Sequence, residues 1–108
     1  MLQNKKDLNA AKRNGISKPL IDRLLLDERR VLNLSKDILN IAKLDDPLGK
    51  ILNSKIRPNG LKISKVTVPL GVIAVIFESR PNVASDVAAL CIKSGNAVIL
   101  KGGKEAKF

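Results

Sequence analysis

The 108-residue sequence predicts an α/β fold in which helices come first and a βαβ unit follows. Up to about residue 45, apolar residues recur at spacings of three and four, the period of an α-helix. Two apolar runs, 72–78 and 97–101, then flank a segment of helical period. Strands that are apolar on both faces are typical of parallel sheets. We expect three regions: a helical region over 1–48, a turn and strand region over 49–68, and a βαβ core over 69–108.

Two helices are predicted first. The first begins near the N-terminus and ends before Gly15, which lies where a C-terminal cap belongs. Ser17 resembles the N-cap of the second helix, over 18–26, because a serine hydroxyl can accept from unpaired backbone N–H groups. Pro19 is tolerated in the first turn of that helix.

A third helix is predicted after Asp27, a good N-cap residue, and it ends at the proline and glycine of 45–49. Its apolar residues recur at helical spacing and predict one packed face. These residues are Val31, Leu34, Ile38 and Ile41 or Ala42.

A tight turn is predicted next, at Pro58 and the pair Asn59–Gly60, which is a strong hairpin signal. The segment 61–68 then predicts a strand with a break near Lys65, because the apolar residues change face there. The helix of the βαβ unit follows the apolar run 72–78, with Asn82 or Ser85 as candidate N-caps.

Each strand of the βαβ unit is followed by a loop, and both loops are predicted to lie at one edge of a parallel sheet. Ligands of such sheets bind at the carboxyl ends of the strands. Those ends are the segments 78–82 and 101–106. The sequence therefore predicts a binding site formed by these two loops.

The first loop brings together Arg80, Asn82 and the start of a helix. These groups hold anions and stabilise a developing oxyanion, so Asn82 is a candidate catalytic residue. The alternative interpretation is structural: Pro81 stiffens a turn, and Asn82 caps the helix.

In the second loop, Gly102 and Gly103 would let a ligand lie against the backbone, and Lys104 could meet a phosphate. The alternative for Lys101 is a strand-end lysine in solvent. Cys91, the only cysteine, falls within a predicted helix among apolar residues and is interpreted as a buried structural thiol.

Composition narrows the function classes. With one cysteine and no histidine, an intrachain disulfide and a Cys/His zinc site are excluded, and no metal site is predicted. The net charge of +10 raises the possibility of nucleic-acid binding. The only aromatic residues are Phe77 and Phe108, however, so a stacking surface is missing. No membrane span or leader is expected, and we expect a soluble, cytoplasmic protein.

Residues 68–106, which contain "PLGVI", "ESRPN" and "KSGNAVILKGG", resemble the gamma-glutamyl phosphate reductase (glutamate-5-semialdehyde dehydrogenase) family of the aldehyde dehydrogenase superfamily. The upstream segments "DDPLGKIL" and "RPNGLKI" fit the same family in order. The resemblance implies NADPH-dependent reduction of L-glutamate 5-phosphate to the 5-semialdehyde and phosphate, in proline biosynthesis. It also implies that the βαβ unit is a Rossmann-like piece of an aldehyde dehydrogenase-like NADPH-binding domain.

The resemblance further implies roles for individual residues. Asn82 would stabilise the oxyanion, and Lys101 would reach the adenosine ribose. Lys104 stands where many NAD-dependent aldehyde dehydrogenases have a glutamate. A lysine at this position favours NADPH over NADH, because its ammonium group attracts the 2′-phosphate. The cofactor-binding residues implied are Glu78, Ser79, Arg80, Pro81, Lys101, Gly102, Gly103 and Lys104.

By the same resemblance, the catalytic cysteine and the catalytic domain lie beyond residue 108, and the full-length protein is a homo-oligomer without membrane or nucleic-acid partners. The chain is then expected to be a fragment that is inactive alone. The alternatives are a non-catalytic truncated remnant or an interaction fragment.

Overall fold

Helices and strands follow one another in a computed structural model that describes residues 2–78 and 80–105. The helices are α1 (Leu2–Arg13), α2 (Lys18–Leu24), α3 (Glu28–Lys43) and α4 (Pro81–Lys93). The strands are β1 (Ile51–Ile56), β2 (Lys62–Val66), β3 (Val72–Ile76) and β4 (Ala97–Lys101). The predicted α/β class, with N-terminal helices followed by a βαβ unit, is confirmed.

The amide of Asn4 joins α1 to the linker between α2 and α3. Its Nδ2 donates to the Leu24 carbonyl at 2.8 Å, and its Oδ1 accepts from the Leu26 N–H at 2.9 Å. An amide side chain can satisfy a donor and an acceptor at once, which suits an extended linker. Leu24 and Ala11, only 1% and 2% exposed, form the small core beside this junction.

Arg30 secures the other side of the same linker. Its guanidinium donates to the backbone carbonyls of Asp22 and Leu25, and it pairs with the Asp22 carboxylate at 2.9 Å. The last carbonyls of a helix have no partner within it, so these bonds satisfy the end of α2. That helix stops at Leu24 rather than 26, because Leu25 adopts an extended conformation.

The predicted helix caps differ in outcome. Asp27 caps α3 as expected, since its Oδ1 accepts from the Arg30 N–H at 2.7 Å. Ser17 lies at the predicted N-cap position of α2, but among the described residues its hydroxyl makes no capping bond. Gly15 follows α1 with a φ of 67°, the left-handed conformation predicted for a C-terminal cap.

Helix α3 packs against α4 along its apolar face. Val31, Leu34 and Ile41 are half-buried as predicted, whereas Ile38 is exposed. The Lys93 ammonium of α4 donates to the Ala42 carbonyl at 3.0 Å, which satisfies part of the C-terminal end of α3.

Strands β1 and β2 form an antiparallel hairpin around the predicted turn. Within the turn, the Gly60 N–H donates to the Arg57 carbonyl at 2.9 Å, and Gly60 has a φ of 83°. The predicted break near Lys65 is wrong. Strand β2 is continuous, and the irregularity lies opposite it in β1, where the register shifts between Ile51 and Asn53 and Leu52 is the extra residue of a bulge.

The hairpin extends away from the helices. Every residue of β1 and β2 is exposed, and the molecule measures 71 × 24 × 20 Å. Its radius of gyration is 20.0 Å, whereas a compact chain of this length would have about 13 Å. Much apolar surface therefore faces outward.

Strands β3 and β4 pair in parallel, as the βαβ interpretation predicts. The Asn96 side chain accepts from the Gly71 N–H at 2.9 Å, and the Ala97 N–H donates to the Gly71 carbonyl at 2.8 Å. These bonds align the starts of the two strands. Val72 and Ile76 are 66% and 79% exposed, so β3 is not buried on both faces as expected, because α4 covers only part of a two-stranded sheet.

Helix α4 begins at Pro81, with Arg80 in the N-cap position. The prediction that Asn82 or Ser85 caps this helix is therefore wrong, because both lie inside it. Proline fits the first helical position, since its fixed φ is already helical and it has no N–H to leave unpaired. The Ser85 hydroxyl instead donates to the Asn82 carbonyl at 2.8 Å.

Gly95 connects α4 to β4 in a crowded turn. Its φ is 69°, and a Cβ placed on it would lie 2.9 Å from Leu48 Cδ1 and 3.0 Å from Pro69 Cγ. The left-handed conformation therefore favours glycine here, and a side chain would also press on Leu48 and Pro69. Gly49 has nearly the same φ, 66°, but has nothing within 4 Å of the corresponding position.

We expect a polypeptide of residues 1–108 to self-associate in solution, because its exposed apolar strand faces and unpaired strand edges favour aggregation. Light scattering and thermal unfolding would measure this. Val72→Thr combined with Ile76→Thr should reduce the scattering without changing the helical circular dichroism. A monomer that unfolds cooperatively would contradict the expectation.

We expect Gly95→Ala to lower the free energy of unfolding by about 1–3 kcal/mol more than Gly49→Ala does, in a longer protein that carries residues 2–105. Both changes add the strain of a left-handed alanine, but only the first also forces a side chain into Leu48 and Pro69. Urea denaturation of the two variants measures the difference. Equal losses would show that the Gly95 contacts are unimportant.

Candidate functional site

The two loops predicted to bind a ligand leave the same edge of the sheet. Ile76 and Lys101 are register partners at the ends of β3 and β4, and the Phe77 N–H donates to the Lys101 carbonyl at 3.0 Å. Glu78 and Arg80 follow one strand, and residues 102–104 follow the other. Ser79, also predicted to bind the cofactor, lies outside the described residues.

The two glycines of the second loop have different surroundings. A Cβ on Gly102 would lie 3.7 Å from the Phe77 ring, an ordinary contact, so the protein itself leaves this position accessible. A Cβ on Gly103 would overlap the Glu105 carboxylate. The Glu105 carboxylate therefore covers Gly103, a feature that the sequence pattern did not reveal.

Lys101 and Lys104 are both exposed at this edge. Lys104 and Glu105 also line a cavity of about 210 Å³ against α1. Helix α1 contributes Asp7, Ala10 and Ala11 to that cavity, and the turn after it contributes Asn14 and Ile16. A ligand phosphate at this position would thus meet the Lys104 ammonium group beside the surface of α1. The carboxylate of Glu105 lines the same cavity.

Asn82 is oriented by a neighbour one helical turn away. Its Nδ2 donates to Asp86 Oδ2 at 3.2 Å. The other carboxylate oxygen, Asp86 Oδ1, is buried and has no hydrogen-bond partner within the described part of the chain. An amide nitrogen has two hydrogens, so Asn82 keeps one donor for a ligand. Sequence reasoning missed Asp86, although its spacing of four from Asn82 was a usable signal.

A cleft of about 380 Å³ lies between α2, α3 and the start of α4. Arg80, Pro81 and Asn82 form one wall. The remaining lining residues are Asp22, Arg23, Leu25, Leu26, Arg30, Asn33, Leu34 and Asp37. Three of them, Arg30, Asn33 and Asp37, are polar and have the spacing of one helix face, which sequence analysis could have identified as a polar surface of α3.

Cys91 is buried in α4, with 5% of its surface exposed, as predicted for a structural thiol. The described residues contain no group of three or more histidine, cysteine, aspartate or glutamate side chains placed to hold a metal ion. Among the helices of the described ranges, none combines the length and apolar character needed to cross a membrane.

No protein-family model matches the chain. Among curated proteins, it is 55% identical over 106 residues to the gamma-glutamyl phosphate reductase of Carboxydothermus hydrogenoformans, covering 98% of this chain and 26% of that protein. It is 57% identical over 104 residues to that of Aliarcobacter butzleri, covering 96% and 25%. The chain thus spans about a quarter of the length of the curated relatives it matches.

Two crystal structures of gamma-glutamyl phosphate reductases are also similar. The Thermotoga maritima structure superposes with a TM-score of 0.92 at 39% identity, covering 96% of this chain and 25% of that one. The Saccharomyces cerevisiae structure gives a TM-score of 0.89 at 46% identity, covering 96% and 27%. The described helices and small sheets match the N-terminal region of these structures.

Proposed function

We propose that this chain, a homologue of the N-terminal region of gamma-glutamyl phosphate reductases, contributes the first part of the NADPH site and of the substrate site of such an enzyme. The reaction is the reduction of L-glutamate 5-phosphate to L-glutamate 5-semialdehyde and phosphate, in proline biosynthesis. The observation that carries this proposal is identity of 55% across 98% of the chain. The shared sheet edge of the two predicted loops supports it.

The edge residues fit a dinucleotide cofactor. Gly102 leaves its backbone accessible beside the Phe77 ring, and the exposed ammonium groups of Lys101 and Lys104 would meet the adenosine ribose and its 2′-phosphate. Glu78, Arg80 and Pro81 would line the approach from the other strand. Bound NADPH would supply the hydride. The Glu105 carboxylate over Gly103 would have to turn aside for a cofactor to approach that residue.

Asn82 would act at the reacting acyl group. Its remaining Nδ2 hydrogen can donate to an oxygen on which negative charge develops, and donors held in advance are effective because they need no reorganisation during the reaction. The hydrogen bond to Asp86 limits rotation of the amide. Asp86 is therefore proposed as a positioning residue for Asn82.

The proposal also covers the oligomeric state of the full-length protein and its location in the cell. The exposed hairpin and the apolar residues of β3 support a homo-oligomer in which further protein covers them. A cytoplasmic enzyme without membrane or nucleic-acid partners fits the chemistry of a small charged substrate.

The proposed function is tested with a chimera in which residues 2–105 replace the matching segment of the Carboxydothermus hydrogenoformans relative. We expect the chimera to oxidise NADPH when L-glutamate 5-phosphate is added. The polypeptide of residues 1–108 should not do so, since its only thiol is buried in α4. A folded but inactive chimera would favour a non-catalytic interaction fragment. Turnover by the short polypeptide that disappears in Cys91→Ser would also contradict the proposal.

In the active chimera, we expect Asn82→Ala to lower kcat by about a hundred- to a thousandfold, the loss typical of removing one oxyanion donor. Asn40→Ala, a change at an exposed position of α3, is the matched control and should leave kcat unchanged. Steady-state kinetics at saturating NADPH measures both. An unchanged kcat in Asn82→Ala would exclude the proposed role.

We expect Lys104→Glu to weaken NADPH binding by about ten- to a hundredfold, corresponding to the loss of one charged contact of about 1.5–3 kcal/mol. NADH lacks the 2′-phosphate, so its affinity should stay nearly constant. Fluorescence titration of both cofactors measures this, with Lys36→Glu, a change at an exposed position of α3, as the control. If both cofactors weaken equally, Lys104 does not recognise the phosphate.

A further inference from the structure

The cleft between α2, α3 and α4 contains charged groups of both signs. Asp22 and Arg30 pair with each other at 2.9 Å, so they neutralise one another. Within the described residues, the Arg23 guanidinium and the Asp37 carboxylate have neither a hydrogen bond nor an ion pair. One wall of the cleft is also formed by Asn82, the proposed catalytic residue.

We propose that this cleft binds the amino-acid end of the substrate, with Asp37 receiving the α-ammonium group and Arg23 the α-carboxylate. This inference rests on the proposed function, because it requires the acyl group of the substrate to lie at Asn82. Asp22 and Arg30 are engaged with each other, and Arg80, which also lines the cleft, is given to the cofactor by the proposed function.

The shape and lining of the cleft agree with such a ligand. Its volume of about 380 Å³ lies within the range of small-molecule sites. Asn33 and Asp37 are four residues apart in α3, so they lie on one face of that helix. An ion pair with the ligand ammonium therefore has an amide beside it, which can accept a second hydrogen bond from the same group.

The apolar lining residues Leu25, Leu26 and Leu34 suit the methylene groups between the two ends of the ligand. The linker that carries two of these leucines is held by Asn4 and Arg30. The cleft wall is thus fixed before a ligand arrives, which reduces the entropy lost on binding.

The test compares ligands with and without the α-amino group. In the chimera, Asp37→Asn should raise KM for L-glutamate 5-phosphate by about ten- to a hundredfold, the effect of losing one charged contact. KM for glutaryl phosphate, which lacks the amino group, should stay constant, and so should kcat. Asp45→Asn, which removes an exposed carboxylate paired with Lys50, is the matched control. Asp37→Glu should retain part of the discrimination.

A binding measurement separates this inference from the proposed function. Calorimetry with L-glutamate and glutarate reports on the cleft without turnover: Asp37→Asn and Arg23→Gln should each weaken L-glutamate, and only Arg23→Gln should weaken glutarate. An inactive chimera that still binds L-glutamate through Asp37 would contradict the proposed function alone. If Asp37→Asn weakens both ligands equally, or neither, the assignment of Asp37 is overturned.

Discussion

The parallel pairing of β3 with β4 is the constraint on which the proposed site depends. Parallel strands end at the same edge, so loops that are separated by a whole helix in sequence become neighbours. The register places Ile76 beside Lys101, and the side chain of Asn96 aligns the beginning of the two strands. A shift of one residue would separate Glu78 and Arg80 from Gly102 and Lys104.

The N-terminal helices provide the second part of the site, and they are held by polar contacts more than by a large core. Few side chains here are fully buried, among them Leu24 and Ala11. Asn4 and Arg30 compensate by bonding to the linker after α2 from both sides. Because Arg30 also forms part of the cleft, the same contacts that stabilise the helices determine the shape of the proposed substrate pocket.

The elongated form of the chain agrees with its relation to longer proteins. Some exposed strand positions, such as Val72 and Ile76, carry large apolar side chains of the kind usually buried in proteins. The relatives it matches are about four times as long, and their additional residues offer surfaces that could cover these strands. Local geometry is nevertheless well defined, since the structures of two relatives superpose closely on it.

Sequence alone determined the features that depend on local backbone chemistry. The left-handed glycines at 15 and 60 and the Asp27 cap follow from steric and hydrogen-bonding rules that act within a few residues. The apolar runs also predicted the parallel strands. Local rules failed at Asn82, because a proline at the first helical position started α4 earlier than an asparagine cap would have.

Only the tertiary structure decided which distant groups meet. The bond from Asn4 to Leu26 in the linker and the cleft between α2, α3 and α4 each depend on how elements pack. Side-chain chemistry indicates what Asp37 or Arg23 could bind, but not that both face one cleft with Asn82. That information lies in the packing of α2, α3 and α4, because contacts between elements far apart in sequence leave no periodic signal in the chain.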